Sequence, residues 1–273
     1  MATAVSRGAW HSVVELPEKR RLAKPRTSGI TMVIDKGLGL RETQDLLEMA
    51  ADHIDFLKIA FGSSALYPSK LMKDKIAMAK AYNIEVYPGG TLFEIAVFQK
   101  CVKEFFHRAR ELGFTYIEVS EGTIDLPPKE RKKYIQMARD EGFGVVSEIG
   151  KKDPTVKIDP ARAVEQVFAD LASGAYKVII EGRDSGQGVG IYDERGRINS
   201  EMLDAIVAGV QDHSHLIIEA PQTSQHNYLL VHLGPNVNLG NVQPHDVLTL
   251  ESTRVGLRGD TLRECLKNAP KSF

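Results

Sequence analysis

One rhythm runs through the chain from residue 29 onward, and it leaves few folds open. Short, β-branched apolar runs alternate with longer stretches of helical period. The strand-like runs cover 29–37 (GITMVIDKG), 56–62 (FLKIAFG), 85–90 (EVYPGG), 116–122 (YIEVSEG), 145–151 (VVSEIGK), 177–183 (KVIIEGR), 216–221 (LIIEAP) and 236–242 (NVNLGNV). Most are apolar until their last residues, as parallel strands covered on both faces should be.

Between these runs the period changes. Residues 41–52 place Leu46, Leu47 and Ala50 on one stripe, and 69–82 do the same with Leu71, Met72, Ile76 and Ala79. A longer stretch, 91–112, carries Phe93, Ile95, Val97, Phe98, Val102, Phe105 and Phe106. Residues 127–141 open with prolines suited to a first helical turn. A helix through Ser173 is predicted to be capped by Asp159, with Pro160 in its first turn and Gly174 past its end. Further helices are expected over 199–211, 222–233 and 261–268. Eight β-then-α units in about 250 residues point to a (β/α)8 TIM barrel. It is read as one domain over 29–273, preceded by an N-terminal arm over 1–28. The runner-up is a doubly wound open sheet, which needs one strand to be misread.

Composition narrows the function classes. With 42% hydrophobic and 26% charged residues, the chain can bury a core and is neither disordered nor fibrous. Lys plus Arg number 35 against 36 Asp plus Glu, so the basic excess of a charge-driven nucleic-acid binder is missing. Two cysteines, Cys101 and Cys265, exclude a disulfide scaffold and argue against a cysteine zinc site. They suit a reducing, cytoplasmic compartment. No run approaches the roughly 20 apolar residues of a membrane span. The arm carries Lys19, Arg20, Arg21, Lys24 and Arg26 and lacks the apolar core of a secretory signal. It is expected to lie over the body as a solvated arm, with docking to a partner subunit as the alternative.

In a TIM barrel the chemistry sits at the C-terminal ends of the strands. Those ends hold Asp35 and Lys36, Lys58, Glu118 and Glu121, Glu148 and Lys151, Glu181 and Arg183, and Glu219. A charge in a buried strand is costly unless it is paired or meets a ligand. The barrel would make all of these converge. Glu118, Glu148, Glu181 and Glu219 suggest a hard cation such as magnesium; the competing reading pairs some of them with Lys58, Lys151 or Arg183. Letters alone do not say whether Glu118 or Glu121 points inward. Lys58 and Lys151 suit either Schiff-base chemistry or clamping of an anion. Lys177 opens its strand at the wrong end.

Two loops look suited to anions. The glycine-rich 182–190 (GRDSGQGVG) lets backbone amides approach a phosphate, and 220–225 (APQTSQ) leads into a helix N-terminus. Past the eighth strand, Arg254 and Arg258 lie where barrels place phosphate sites. His213 and His215 precede the seventh strand and read as a solvated turn.

These motifs add up to a resemblance. VIDKG (33–37), FLKIAFG (56–62), YPGGTLFE (87–94), SEIGKK (147–152), VIIEGRDSGQGVG (178–190), IEAPQTSQ (218–225), VNLGN (237–241) and LESTRVGLRGDT (250–261) resemble the phosphosulfolactate synthase family. The likeness spans about residue 29 to 265. It implies a TIM barrel that adds sulfite to phosphoenolpyruvate with magnesium, giving (2R)-2-phospho-3-sulfolactate, on a route to coenzyme M in methanogens or to sulfolactate in bacterial relatives. In that chemistry sulfite attacks the methylene carbon and charge flows into the carboxylate. Magnesium steadies that charge, and a general acid protonates the carbon that bears the phosphate. A Lys- and Arg-bearing site brings the two anions together.

Within that frame Glu148 and Glu181 are the first-choice magnesium ligands, with Glu118 and Glu219 next. Lys151 is the expected general acid and Lys58 its alternative. Arg183 and Lys36 hold sulfite or the substrate carboxylate. Ser185, Gly186, Gly188 and Ser224 take the phosphate with Arg254 or Arg258. Asp35 is expected to orient Lys58 or a water of the metal's shell. Two other classes stay open: an aldolase-like enzyme using a barrel lysine, and a non-catalytic protein like the heat-stress branch of the same family. A cyclic homo-oligomer, built through outer helices with the Phe-rich 93–106 contributing, is also expected.

Overall fold

The computed structural model describes residues 8–268 and is a (β/α)8 barrel. Its strands are β1 (Thr31–Asp35), β2 (Phe56–Ile59), β3 (Glu85–Pro88), β4 (Tyr116–Val119), β5 (Gly144–Ile149), β6 (Lys177–Ile180), β7 (Leu216–Glu219) and β8 (Leu239–Val242). All the ladders are parallel, in the order β3-β2-β1-β8-β7-β6-β5-β4. At the seam between β3 and β4, the Thr115 amide donates to Val86 O (3.0 Å) and the Val86 amide to Thr115 Oγ1 (2.9 Å). That contact completes the circle and rules out the open sheet.

The helices are α1 (Leu40–Ala50), α2 (Ser69–Ala81), α3 (Gly90–Phe98), α4 (Val102–Leu112), α5 (Pro128–Asp140), α6 (Pro160–Ser173), α7 (Ser200–Val210), α8 (Thr223–Leu233), α9 (Val247–Arg254) and α10 (Gly259–Asn268). Asp159 caps α6 by accepting from the Ala161 amide (2.9 Å), and Gly174 ends it at φ +110°. Two features differ from the sequence reading. The stretch 91–112 is two helices, broken where Lys100 takes φ +59° and the Cys101 amide turns back to Ala96 O. And α9, rich in Thr and Ser and therefore weak in helical pattern, occupies 247–254.

Successive strand residues face opposite ways. One set, including Val33, Leu57, Ile59, Val86, Ile117, Val145, Val178 and Ile218, packs against the helices in the main core. The other fills the barrel: Met32, Phe56, Tyr87, Val146, Ile179 and Ile217 form an apolar floor with Tyr116 and Tyr176 beside it. The next inward positions on β2, β4, β5 and β7, and Glu181 just past β6, are charged.

The arm straps the opposite, N-terminal end of the barrel. Arg21 grips Glu251 through two 2.9 Å contacts and donates to Gly29 O, and Arg26 pairs with Asp55 (2.9 Å). Lys24 Nζ donates to the carbonyls of Ile54 (2.6 Å), Tyr82 (3.1 Å) and Ala51 (3.2 Å). Residues 1–7 of the expected arm and 269–273 of the expected barrel domain lie outside the described residues.

Candidate active site

Lys58 is the hub of the charged layer. Its Nζ stands 2.9 Å from Glu219 Oε1, 3.0 Å from Glu118 Oε2 and 3.4 Å from Glu148 Oε2. All four residues are buried, so the attraction is little screened by water. Burial alone would lower the Lys58 pKa; Glu118, Glu219 and Glu148 outweigh it and hold the ammonium protonated.

The carboxylates divide into a trio and a fourth. Glu148, Glu181 and Glu219 each present an oxygen within 4.8 Å of the others. Glu148 Oε1 and Glu181 Oε2 are buried and accept no hydrogen bond. Buried, convergent and all oxygen, this set fits a hard divalent cation. Glu118 borders this set, with Oε1 taking the Gly90 amide at the start of α3 (2.7 Å) and Oε2 facing Lys58 (3.0 Å). Gly90 is required there, because a Cβ would run into Glu118 Oε1 and Ser120 Oγ.

Burial and the neighbouring Glu148 and Glu219 push the Glu181 carboxyl well above the usual range. Glu148 goes the other way: burial would raise it, but Lys152 and Lys58 hold it at about 2. Opposite shifts on adjacent buried carboxyls favour one proton held between the pair when no cation is bound. Burial, with Glu148 and Glu219 against Lys58, lifts Glu118 to about 8.

The second cation of the site is Lys152, which the sequence reading passed over. Its Nζ lies 3.6 Å from Glu148 Oε1 and 3.7 Å from Glu181 Oε2, and donates to Thr91 Oγ1 (3.2 Å). Lys151, the expected acid, turns away. Its Nζ donates to Ile124 O (2.6 Å), Glu121 O (2.8 Å) and Asp125 Oδ1 (3.1 Å), pinning the loop after β4. The signal for Lys152 was present: it is the second lysine of the SEIGKK motif, four residues past Glu148. Glu94, also missed, holds that loop from the other side through Ser120 Oγ (2.5 Å) and the amides of Gly122 (3.0 Å) and Thr123 (2.8 Å).

Asp35 needs a second correction. It shares the face of Val33, points into the helix layer and pairs with Lys75 of α2, so it reaches neither Lys58 nor the carboxylate trio. Lys36 does face the mouth, 3.1 Å from Asp184 in the loop after β6. Arg183 stands exposed in that loop at φ +59°, its amide donating to Glu181 Oε1 (2.7 Å).

The glycine-rich loop is tied to the start of α8. Gln222 Nε2 donates to Ser185 O (2.7 Å) and Gln225 Nε2 to Gly186 O (2.9 Å), which brings Ser185, Gly186 and the exposed Ser224 to one corner of the mouth. The Gly188 amide is already bonded to Asp193 O (2.9 Å), so it is not free to cradle a phosphate.

Arg254 and Arg258 lie at the other end of the barrel. Helix α9 runs back from the mouth, and buried Arg254 donates to Pro235 O (2.6 Å), Val237 O (2.8 Å) and Ile30 O (3.3 Å) below β1 and β8. Arg258 is exposed in the turn after α9, three residues past Val255, whose carbonyl takes the Glu18 amide of the arm. Neither reaches a ligand at the mouth. Cavities of about 190 Å³ between α2, α4 and β3 and about 620 Å³ between α8 and α10 also lie in the helix layer. Among the described residues, no helix is long and apolar enough to cross a membrane.

Solved structures resemble the chain in fold. The 3-hexulose-6-phosphate synthase of Salmonella typhimurium matches 88% of this chain and all of its own at TM-score 0.51 and 16% identity. A dihydrodipicolinate synthase structure matches 89% of this chain and 78% of its own at TM-score 0.51 and 9% identity. Sequence relatives are nearer. The phosphosulfolactate synthase of Methanothermobacter thermautotrophicus is 46% identical over 244 residues, covering 89% of this chain and 94% of that protein. The Bacillus subtilis phosphosulfolactate synthase is 40% identical over 250 residues, covering 91% and 97%. The heat-stress-associated protein 32 of Arabidopsis thaliana is 25% identical over 142 residues, about half of each chain. Residues 19–260 match the profile of (2R)-phospho-3-sulfolactate synthase. With the barrel and its charged mouth, these matches show that the chain is a lyase-type enzyme and belongs to the (2R)-phospho-3-sulfolactate synthase family.

Proposed function

We propose that the protein joins sulfite to phosphoenolpyruvate to give (2R)-2-phospho-3-sulfolactate, with magnesium held by Glu148, Glu181 and Glu219. The observation that carries this reading is the buried carboxylate trio standing directly beside Lys152. Glu118 and Glu181 are pushed toward their protonated forms beside the two ammonium groups, and a divalent cation would displace those protons and balance four ionised carboxylates. Bound there, magnesium would act as a Lewis acid toward charge developing on the substrate carboxylate.

The chain's own residues do the rest. Lys36 and Arg183 draw the two anions to the mouth and reduce their mutual repulsion. Ser185, Gly186 and Ser224 take the phosphate. The sulfur lone pair of sulfite forms the new bond to the methylene carbon as the C=C pair moves toward the carboxylate. Lys152, which Glu148 and Glu181 keep protonated against the effect of burial, gives its proton to the phosphate-bearing carbon and regains one from solvent. Lys58 keeps the carboxylates in place from below. Its three carboxylate partners hold it as an ammonium, which disfavours a Schiff-base role.

Phosphoenolpyruvate consumption with sulfite and magnesium, and the product mass, test the proposal. Sulfite-dependent phosphosulfolactate supports it. No product from folded protein favours the non-catalytic reading or another nucleophile. The separate cysteines Cys101 and Cys265 support a cytoplasmic setting, and exposed Ile95 and Phe98 on α3 support a homo-oligomer.

A further inference from the structure

The turn that carries Lys36 is fixed from behind by a buried ion pair that the reaction itself does not use. Asp35 Oδ1 accepts the amides of Gly37 (2.9 Å) and Leu38 (2.8 Å), which folds the chain sharply after β1. Its other oxygen faces Lys75, and both side chains are fully buried between β1 and α2. The same ammonium donates to Leu38 O (2.6 Å) and to the Tyr67 hydroxyl (3.3 Å), and lies 4.9 Å from the centre of the Tyr67 ring. One cation thus grips both ends of the Asp35–Leu38 turn and ties it to the segment before α2. Lys36 is the charged side chain that the turn presents to the mouth, where it meets Asp184 across the barrel.

A buried ion pair is weak evidence for stability, because apolar residues of the same volume often serve as well. What the pair adds here is direction: two charge-assisted contacts and two turn hydrogen bonds define where Lys36 starts. We propose that Lys75, acting with Asp35, is a positioning residue that sets the anion affinity of Lys36. This rests on the sulfite and phosphoenolpyruvate reading above. Without the pair, the turn drifts from α2, and Lys36 must be ordered by the substrate at each binding event. Substrate capture weakens, while proton delivery by Lys152 is unaffected.

The test is the double variant D35N/K75M. It removes both charges at similar volume, leaves no lone buried ion, and retains a side-chain oxygen for the turn amides. The expected result is a KM for sulfite or phosphoenolpyruvate raised about tenfold, with kcat within roughly threefold of the wild type. K36M alone should raise the same KM, and adding D35N/K75M to it should change KM by less than about twofold, since the two act through one group. K75R, which keeps the cation, should stay nearer the wild type than D35N/K75M. A merely structural role would lower kcat with the folded fraction and multiply with K36M.

A folded D35N/K75M variant with wild-type KM, or effects that multiply with K36M, overturns the proposal and leaves the reaction standing. If the wild type does not turn over, calorimetric titration with phosphoenolpyruvate decides. Weaker binding by D35N/K75M supports the positioning role, and equal binding overturns it. A wild type that neither turns over nor binds phosphoenolpyruvate overturns the reading of the reaction and this proposal with it.

Discussion

Lys151 and Lys152 are neighbours in the chain whose ammonium groups serve different structures. Lys152 Nζ stands 3.6 Å from Glu148 Oε1 in the mouth, whereas Lys151 Nζ donates to three oxygens of the loop after β4. Lys152→Met is expected to lower kcat by about 10²–10⁴, the usual worth of a positioned general acid. Lys151→Ala is expected to keep kcat within about tenfold while loosening residues 121–125. Steady-state kinetics on both variants, with hydrogen exchange on that loop, check the division; equal losses of kcat would refute it.

The carboxylate trio predicts a pattern of metal response. Magnesium that binds the folded chain alone stabilises it, by about 2.7 kcal/mol at a hundred times its dissociation constant. Glu148→Gln, Glu181→Gln and Glu219→Gln should each diminish the rise in melting temperature on adding magnesium. Glu118→Gln should keep it, because Glu118 Oε1 is taken by the Gly90 amide and Oε2 by Lys58. Thermal melts with and without magnesium check this, and a Glu118→Gln variant blind to the ion would place the cation elsewhere.

His226 supplies a pH dependence with a definite sign. It is 1% exposed, its Nε2–H donates to Ala220 O (2.6 Å), and burial pushes its pKa from 6.5 down to about 4. Between those values the unfolded chain takes up a proton that the folded chain refuses. Stability from this group is therefore complete above about pH 6.5 and declines as pH falls toward 4, by up to about 3 kcal/mol. Denaturant unfolding of wild type and His226→Gln across that window should show a shallower acid slope in the variant.

Arg254 separates the two ends of the barrel. Arg254→Met removes its donors from the carbonyls of Pro235 and Val237, and one of two from Ile30 O, and is expected to cost about 2–5 kcal/mol. Neither it nor Arg258→Ala should change KM for phosphoenolpyruvate. Unfolding midpoints and KM measured on the same preparations check both halves.

Much of this was legible in the letters. Alternating runs identified the barrel, and strand-end charges such as Lys58, Glu148, Glu181 and Glu219 marked its active end, because charges there are costly without a partner or ligand. The motif SEIGKK put both Lys151 and Lys152 in view, and the fold decided which ammonium faces the carboxylates.

What the sequence by itself determined is the periodicity: which segments are strands, which are helices, and which strands end in charge. Orientation was decided by the tertiary structure. A parallel strand covered on both sides is apolar on both faces, so GITMVIDKG does not reveal that Asp35 looks toward α2 while Lys58 looks down the barrel axis. A helix after a strand runs back across the barrel, so Arg254, close in sequence to the mouth, lies at its floor. Both outcomes depend on which buried partner each charge meets, and those partners come together only when the barrel closes.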